Sequence, residues 1–138
     1  MSSLIENLAW FYLFLFSLYH VVTGIISIFF PNFSLKFYKV IYGIQPIETK
    51  QLLITFKPWG SFAFIMGVIS FFVFFNINTY YNLLLTFIAL LILRIWYRSV
   101  FYDSAKEFFK ISFYHNLKMI IIQVIGVILF FYLWFIKF

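Results

Sequence analysis

Four apolar stretches constrain this chain before any other feature. They cover roughly residues 8–30, 57–75, 80–102 and 117–136, and each is close to the ~20 residues a helix needs to cross the hydrocarbon core of a bilayer. Inside lipid every backbone N–H and C=O must find a partner within the segment, so runs of this length fold as helices. The short polar link "NINTYYN", residues 76–82, makes the second and third helices expected antiparallel neighbours. An all-α, integral membrane four-helix bundle, forming one transmembrane domain over residues 1–138, is the expected fold.

Composition identifies the solvent. Of the 138 residues 65% are hydrophobic and 10% charged, with a mean hydropathy of +1.04. Soluble domains are about 45–50% apolar and about 25% charged. A chain this short has no core large enough to hide such a surplus from water. The absence of cysteine excludes disulfides, thiolate metal sites and a cysteine nucleophile. The formal net charge is +6, but the basic residues gather at the ends of apolar runs. Anionic lipid headgroups, rather than nucleic acid, are therefore the expected counterpart.

Their distribution also predicts orientation. Lys36, Lys39, Lys50 and Lys57 surround the connection after the first run, and Arg98, Lys106, Lys110 and Lys118 the connection after the third. Lys137 alone lies on the opposite side. By the positive-inside rule both connections face the cytoplasm and both termini lie outside, as in a bacterial cytoplasmic membrane. The leader "MSSLIEN" has no basic region and no small-residue cleavage motif follows the first run, so that run is expected to be retained as a span. In the first connection Phe33, Phe37, Val40, Ile41 and Ile44 recur at helical spacing. In the second, Ser104 and Glu107 match the S-x-x-E capping box that starts a helix. Both connections are expected to form short interfacial helices, apolar side toward the hydrocarbon, with extension of the third span as the alternative for the second.

Apolar helix faces gain little from meeting one another in lipid, so small residues and interhelical hydrogen bonds direct packing. Ser17, His20, Gly24, Ser27 and Pro31 form such a stripe on the first helix, Gly60, Ala63, Gly67 and Ser70 on the second, and Asn116, Met119, Gln123 and Gly126 on the fourth. Pro58 is expected in the first turn of the second helix, where its missing N–H does no harm.

The polar residues deep in the spans are the candidates for function. At 1.5 Å of rise per residue, His20 and Arg94 lie roughly 18 and 21 Å from the outer ends of their helices, and Gln123 roughly 9 Å from the inner end of its own. Thr23 and Tyr97, one turn from His20 and Arg94, share that level. Arg94 keeps its proton and needs an acceptor. The acids of the chain are Glu6, Glu48, Asp103 and Glu107, none inside a span. Three readings of Arg94 follow: an anchor that reaches the cytoplasmic phosphates together with Arg98; an internal hydrogen-bond knot with Gln123, Thr23 and backbone carbonyls; and a pocket, lined by His20, Thr23, Arg94, Tyr97 and Gln123, that holds a lipid headgroup or a quinone. Likewise, His20 reads either as a hydrogen-bonded histidine of the bundle or as a ligand-holding group. No metal site is expected, since the second histidine, His115, lies at the cytoplasmic surface and not at the depth of His20. Nucleophile elbows, phosphate-cradling glycine loops, HExxH and paired acids are absent.

The stretches "HVVTG" (20–24), "FFP" (29–31) and "WGSFAFIMG" (59–67), with Arg94 late in the third run, resemble the DoxX-like group of small four-helix membrane proteins over roughly residues 10–130. That resemblance implies either a subunit of a membrane quinol or thiosulfate oxidoreductase or an assembly or accessory factor. The lack of cysteine argues against thiol-linked redox roles. The expected function is a non-enzymatic accessory, interaction or assembly subunit without a resident cofactor, with another membrane protein or a second copy of itself as partner. The alternative is a quinone- or lipid-headgroup-binding subunit of a membrane oxidoreductase. A toxin-immunity membrane protein has similar size and helix number.

Overall fold

A computed structural model describes residues 3–45 and 49–138. The described residues are all-α and contain no strand. In chain order the helices are α1 (Leu4–Phe29), α2 (Pro31–Tyr42), α3 (Lys50–Phe75), α4 (Ile77–Tyr80), α5 (Leu83–Val100), α6 (Tyr102–Phe109) and α7 (Phe113–Lys137). Four of them, α1, α3, α5 and α7, are long and apolar enough to cross a membrane. The protein is an integral membrane protein built as a helical bundle.

Local chemistry explains where the helices start and stop. Ser3, Thr49 and Ser112 cap α1, α3 and α7, each side-chain oxygen accepting a backbone N–H three residues on. Pro31 ends α1 and occupies the first turn of α2, because its ring is incompatible with a continuing helix but suits a new one. Gly43 takes the left-handed conformation after α2, with φ of 63°.

Two expectations about helix starts are corrected. Pro58 lies inside α3, since the Thr49 cap begins that helix at Lys50. The capping box at Ser104 does not form: α6 begins earlier, at Tyr102, and no side chain caps it. A helix does restart after α5, but the break sits at Phe101, whose N–H closes α5 onto the Tyr97 carbonyl.

Packing follows the small residues. A Cβ on Gly24 would lie 2.5 Å from the Phe64 backbone nitrogen, and one on Gly67 2.5 Å from that of Val21. Gly60 is pressed against Ser27 and the Gly24 carbonyl. Thus α1 and α3 touch almost backbone to backbone, as small-residue seams allow in lipid. Ser17, Ser27 and Ser70 are buried with these glycines, and Ala63 is half-buried at the same seam. On the other flank of α1, Gly126 of α7 accommodates the Tyr12 ring, whose hydroxyl donates to the Ile122 carbonyl at 3.1 Å.

The expected pairing of the second and third spans is also corrected. Although consecutive, α3 and α5 do not pack closely; α3 lies on α1, and α5 lies on α7. The face that α5 buries carries Leu84, Phe87, Ile88 and Leu91 and no glycine, so it cannot join a close-approach seam and meets α7 through bulky side chains. Phe16, Phe87 and Phe130 join α1, α5 and α7 in one aromatic cluster, with centroids 5.3–6.0 Å apart. Beyond it, toward α2 and α6, the interior becomes polar.

That basic end is held shut by α2. The face it turns to the bundle bears Ser34, Leu35, Tyr38 and Tyr42, while Phe33 and Val40 point outward. The Ser27 hydroxyl hydrogen-bonds Ser34 at 2.7 Å and Tyr38 at 3.1 Å. The Gln45 N–H donates to the Phe109 carbonyl at 2.7 Å, tying the two connections together.

Candidate functional site

The first turn of polar chemistry beyond the aromatic cluster is built on α1. His20 lies one turn after Phe16, and its Nδ1 is 2.8 Å from the Phe16 carbonyl oxygen. A carbonyl only accepts, so Nδ1 carries the proton and Nε2 is left as a bare acceptor. Arg94 of α5 meets that acceptor, Nη1 donating to Nε2 over 3.3 Å. The neutral imidazole is thus the acceptor for a charge with no acid nearby among the described residues, and His20 is 2% exposed.

One turn further along α5, Arg98 enters a reciprocal pair with α7. Its Nη1 donates to Asn116 Oδ1, and Asn116 Nδ2 donates to the Arg98 carbonyl, both at 3.2 Å. The Arg98 guanidinium carbon also stands 5.4 Å from the centroid of the Tyr42 ring, close enough for cation–π attraction. The Tyr42 hydroxyl hydrogen-bonds that of Tyr19, linking α2 back to α1. Burial pushes the Tyr42 phenol above its ordinary range against the pull of the two arginines, so it acts as a neutral hydroxyl. The Tyr19–Tyr42 hydrogen bond and the Arg98–Tyr42 ring contact join α1, α2 and α5 one turn beyond the His20–Arg94 bond.

The residues singled out in the sequence divide. His20 and Arg94 come together. Thr23 is buried, but its hydroxyl bonds the Tyr19 and His20 carbonyls of its own helix at 2.7 and 3.3 Å and does not reach Arg94. Tyr97 is 56% exposed and lies against Phe101, ring centroids 5.1 Å apart, outside the cluster. Gln123 is buried on α7, and its Oε1 has no hydrogen-bond partner. The internal-knot reading of Arg94 therefore finds a different acceptor, His20, from those expected. Asn116, Tyr19 and Tyr42 were missed as site residues, and Arg98 was read only as Arg94's companion in the phosphate anchor. The one-turn spacing from Arg94 had already drawn Arg98 into that anchor; Tyr42 carried no signal of its own.

The cluster has a definite chemical character. Among the described residues no carboxylate pairs with either arginine, and no group of three histidines or acids is placed to hold a metal ion. Each guanidinium has five N–H donors, of which one hydrogen bond to a protein acceptor is formed by Arg94 and one by Arg98. Both side chains are half-buried. The arrangement can bind electron-rich oxygen, and it has no carboxylate to serve as general acid or base. A lateral groove of about 410 Å³ along α1 and α3, lined by Val21, Val68, Phe71, Phe72, Phe75 and Asn76, shares no residue with it. No family model, curated protein or solved structure matches this chain.

Proposed function

We propose that this protein is a small, non-catalytic accessory subunit of a membrane complex that holds the headgroup of an anionic or carbonyl-bearing amphiphile at the Arg94–Arg98 cluster. The observation that carries the reading is the pair of guanidiniums one turn apart on α5, with no acid of the described residues beside them and most of their donors unused by those residues. A charge at membrane depth costs a few kcal/mol on insertion scales, and a neutral histidine and an asparagine side chain offset only part of that. An oxygen-rich headgroup supplies the missing acceptors.

Several features support the setting. The lysines gathered around α2 and α6 favour a cytoplasmic position for that end, with both termini outside a bacterial cytoplasmic membrane. Exposed Phe, Ile and Leu on α3, α5 and α7 suit lipid tails, another membrane protein or a second copy. The resemblance to DoxX-like proteins favours an accessory role and keeps both quinone and lipid headgroup in view as ligands.

Purification of the full chain in a mild detergent, followed by mass spectrometry of extracted lipids and quinones, tests the reading. One amphiphile is expected at near-stoichiometric level in the wild type and is lost in the Arg94→Met, Arg98→Met double variant while helical content is retained. Equal amphiphile content in the two proteins removes the proposal. Membrane protein co-purifying with the wild type supports the accessory role.

A further inference from the structure

We infer that the headgroup held between Arg94 and Arg98 is a phosphomonoester, a terminal phosphate on a lipid tail, rather than a phosphodiester or a quinone carbonyl; this rests on the amphiphile-holding reading above. The argument begins with charge. Arg94 and Arg98 stand one turn apart on α5, where like charges repel, and no acid of the described chain compensates them. For half-buried side chains at the edge of a membrane that imbalance is unfavourable. A quinone carbonyl neutralises neither cation and a diester only one. A phosphomonoester, carrying up to two charges, neutralises both.

Donor geometry points the same way. Arg94 and Arg98 are separated by about 6 Å along the helix, and each has its Nη1 hydrogen-bonded to the protein, at 3.3 and 3.2 Å. Among the described residues no protein acceptor meets the Nη2 and Nε sides of either fork. A guanidinium fork matches two phosphate oxygens at once. Two forks can crowd onto the two non-ester oxygens of a diester, whereas a monoester's third non-ester oxygen lets each fork be met with less sharing and leaves an acceptor for a further donor. The hydroxyls of Tyr19 and Tyr42 add a further donor, because two hydroxyls bonded to each other leave one O–H over. All these donors belong to side chains already fixed by other contacts: His20 orients Arg94, Asn116 and the Tyr42 ring orient Arg98, and α2 closes over the Tyr pair. Such a preorganised cluster loses little side-chain freedom on binding.

The approach route favours a lipid-borne phosphate. The exposed surface of α5 beside the arginines consists of Leu93, Trp96, Tyr97 and Val100, each more than half exposed. Arg98 lies in the last turn of α5, at the level where lipid phosphates reside when a span of this length crosses the bilayer. A lipid monoester enters sideways with its tail along this apolar wall.

The full chain in detergent micelles is titrated with phosphatidic acid, with phosphatidylglycerol of the same acyl chains, with a short-chain quinone and with inorganic phosphate, binding being read by native mass spectrometry and thermal shift. Phosphatidic acid is expected to bind about tenfold more tightly than phosphatidylglycerol, the effect of one additional charge-assisted hydrogen bond. Arg98→Gln, which can still bond Asn116, brings that ratio close to one, and Arg98→Lys, which keeps the charge without the fork, gives an intermediate ratio. Inorganic phosphate that displaces phosphatidic acid at matched concentration supports the phosphate chemistry and assigns it to a soluble source; phosphate that does not displace it assigns the lipid. Equal affinity for the two lipids, or a preference for the quinone, overturns the monoester assignment and leaves the amphiphile-holding reading standing. No binding of any of the four overturns both.

Discussion

His20 and Arg94 are separated by 74 positions in the chain and joined by a single hydrogen bond, from guanidinium Nη1 to imidazole Nε2 over 3.3 Å. The bond exists because the Phe16 carbonyl, one turn earlier on α1, holds the Nδ1 proton and turns the free lone pair toward α5. A backbone carbonyl in one helix thereby sets the position of a charge in another. Next to this polar contact α5 meets α1 through aromatic packing, Phe87 against Phe16.

Breaking this link isolates the charge. His20→Ala is expected to lower stability by about 1–2 kcal/mol, because the half-buried partner loses its acceptor. Arg94→Met in the His20→Ala background then costs less than it does alone, giving a coupling of about 0.5–3 kcal/mol in a double-mutant cycle. Thermal unfolding in detergent provides both numbers; strictly additive effects would show that the two side chains do not interact.

The seam between α1 and α3 has no room for a methyl group. At Gly24 and Gly67 an added Cβ would lie 2.5 Å from backbone nitrogen on the facing helix, and backbone cannot rotate aside as a side chain can. Gly24→Ala and Gly67→Ala are each expected to destabilise the protein by about 1–3 kcal/mol, whereas Ile65→Ala, on the exposed face of α3, has a much smaller effect. Melting temperatures of the three variants compared under one detergent condition decide the matter, and an unshifted Gly67→Ala would contradict the close approach.

The basic end depends on two left-handed residues. Gly43 has φ of 63° and would place a Cβ 2.7 Å from the His115 ring, so Gly43→Ala suffers both backbone strain and a clash. Lys110 adopts φ of 52° despite its side chain. Replacing it by glycine relieves that strain, and Lys110→Gly is expected to stabilise by up to about 1 kcal/mol. Hydrogen exchange of the Gln45 amide, which bonds the Phe109 carbonyl, reports both changes: faster in Gly43→Ala and slower in Lys110→Gly.

Because the chain contains no cysteine, single-cysteine labelling can establish its orientation without background. Val40→Cys, on the outward side of α2, and Thr79→Cys, in the link between α3 and α5, report on opposite ends of the bundle. With an impermeant maleimide on intact cells, Thr79→Cys is expected to react and Val40→Cys to react only after permeabilisation. The reverse pattern would invert the orientation drawn from the lysines.

The four spans were legible in the sequence because bilayer thickness and backbone satisfaction act on each segment locally. The seam residues Gly24, Gly60 and Gly67 were legible for a related reason: a small side chain at helical spacing has the same consequence whichever partner it meets. The ends of the helices were less so. Thr49 outcompeted Pro58 as a starting point, and Phe101 broke the chain before the Ser104 box could act, because several adequate signals lay within a few residues of each other. Which polar groups meet was beyond local reading. Arg94 had Gln123, Thr23 and His20 all at compatible depth, and depth is one coordinate of three. The choice of His20, and of Asn116 and Tyr42 for Arg98, follows from the rotation of each helix and from α3 packing on α1 instead of α5. Those rotations are set jointly by contacts among helices far apart in the chain, so they exist only once the bundle has assembled.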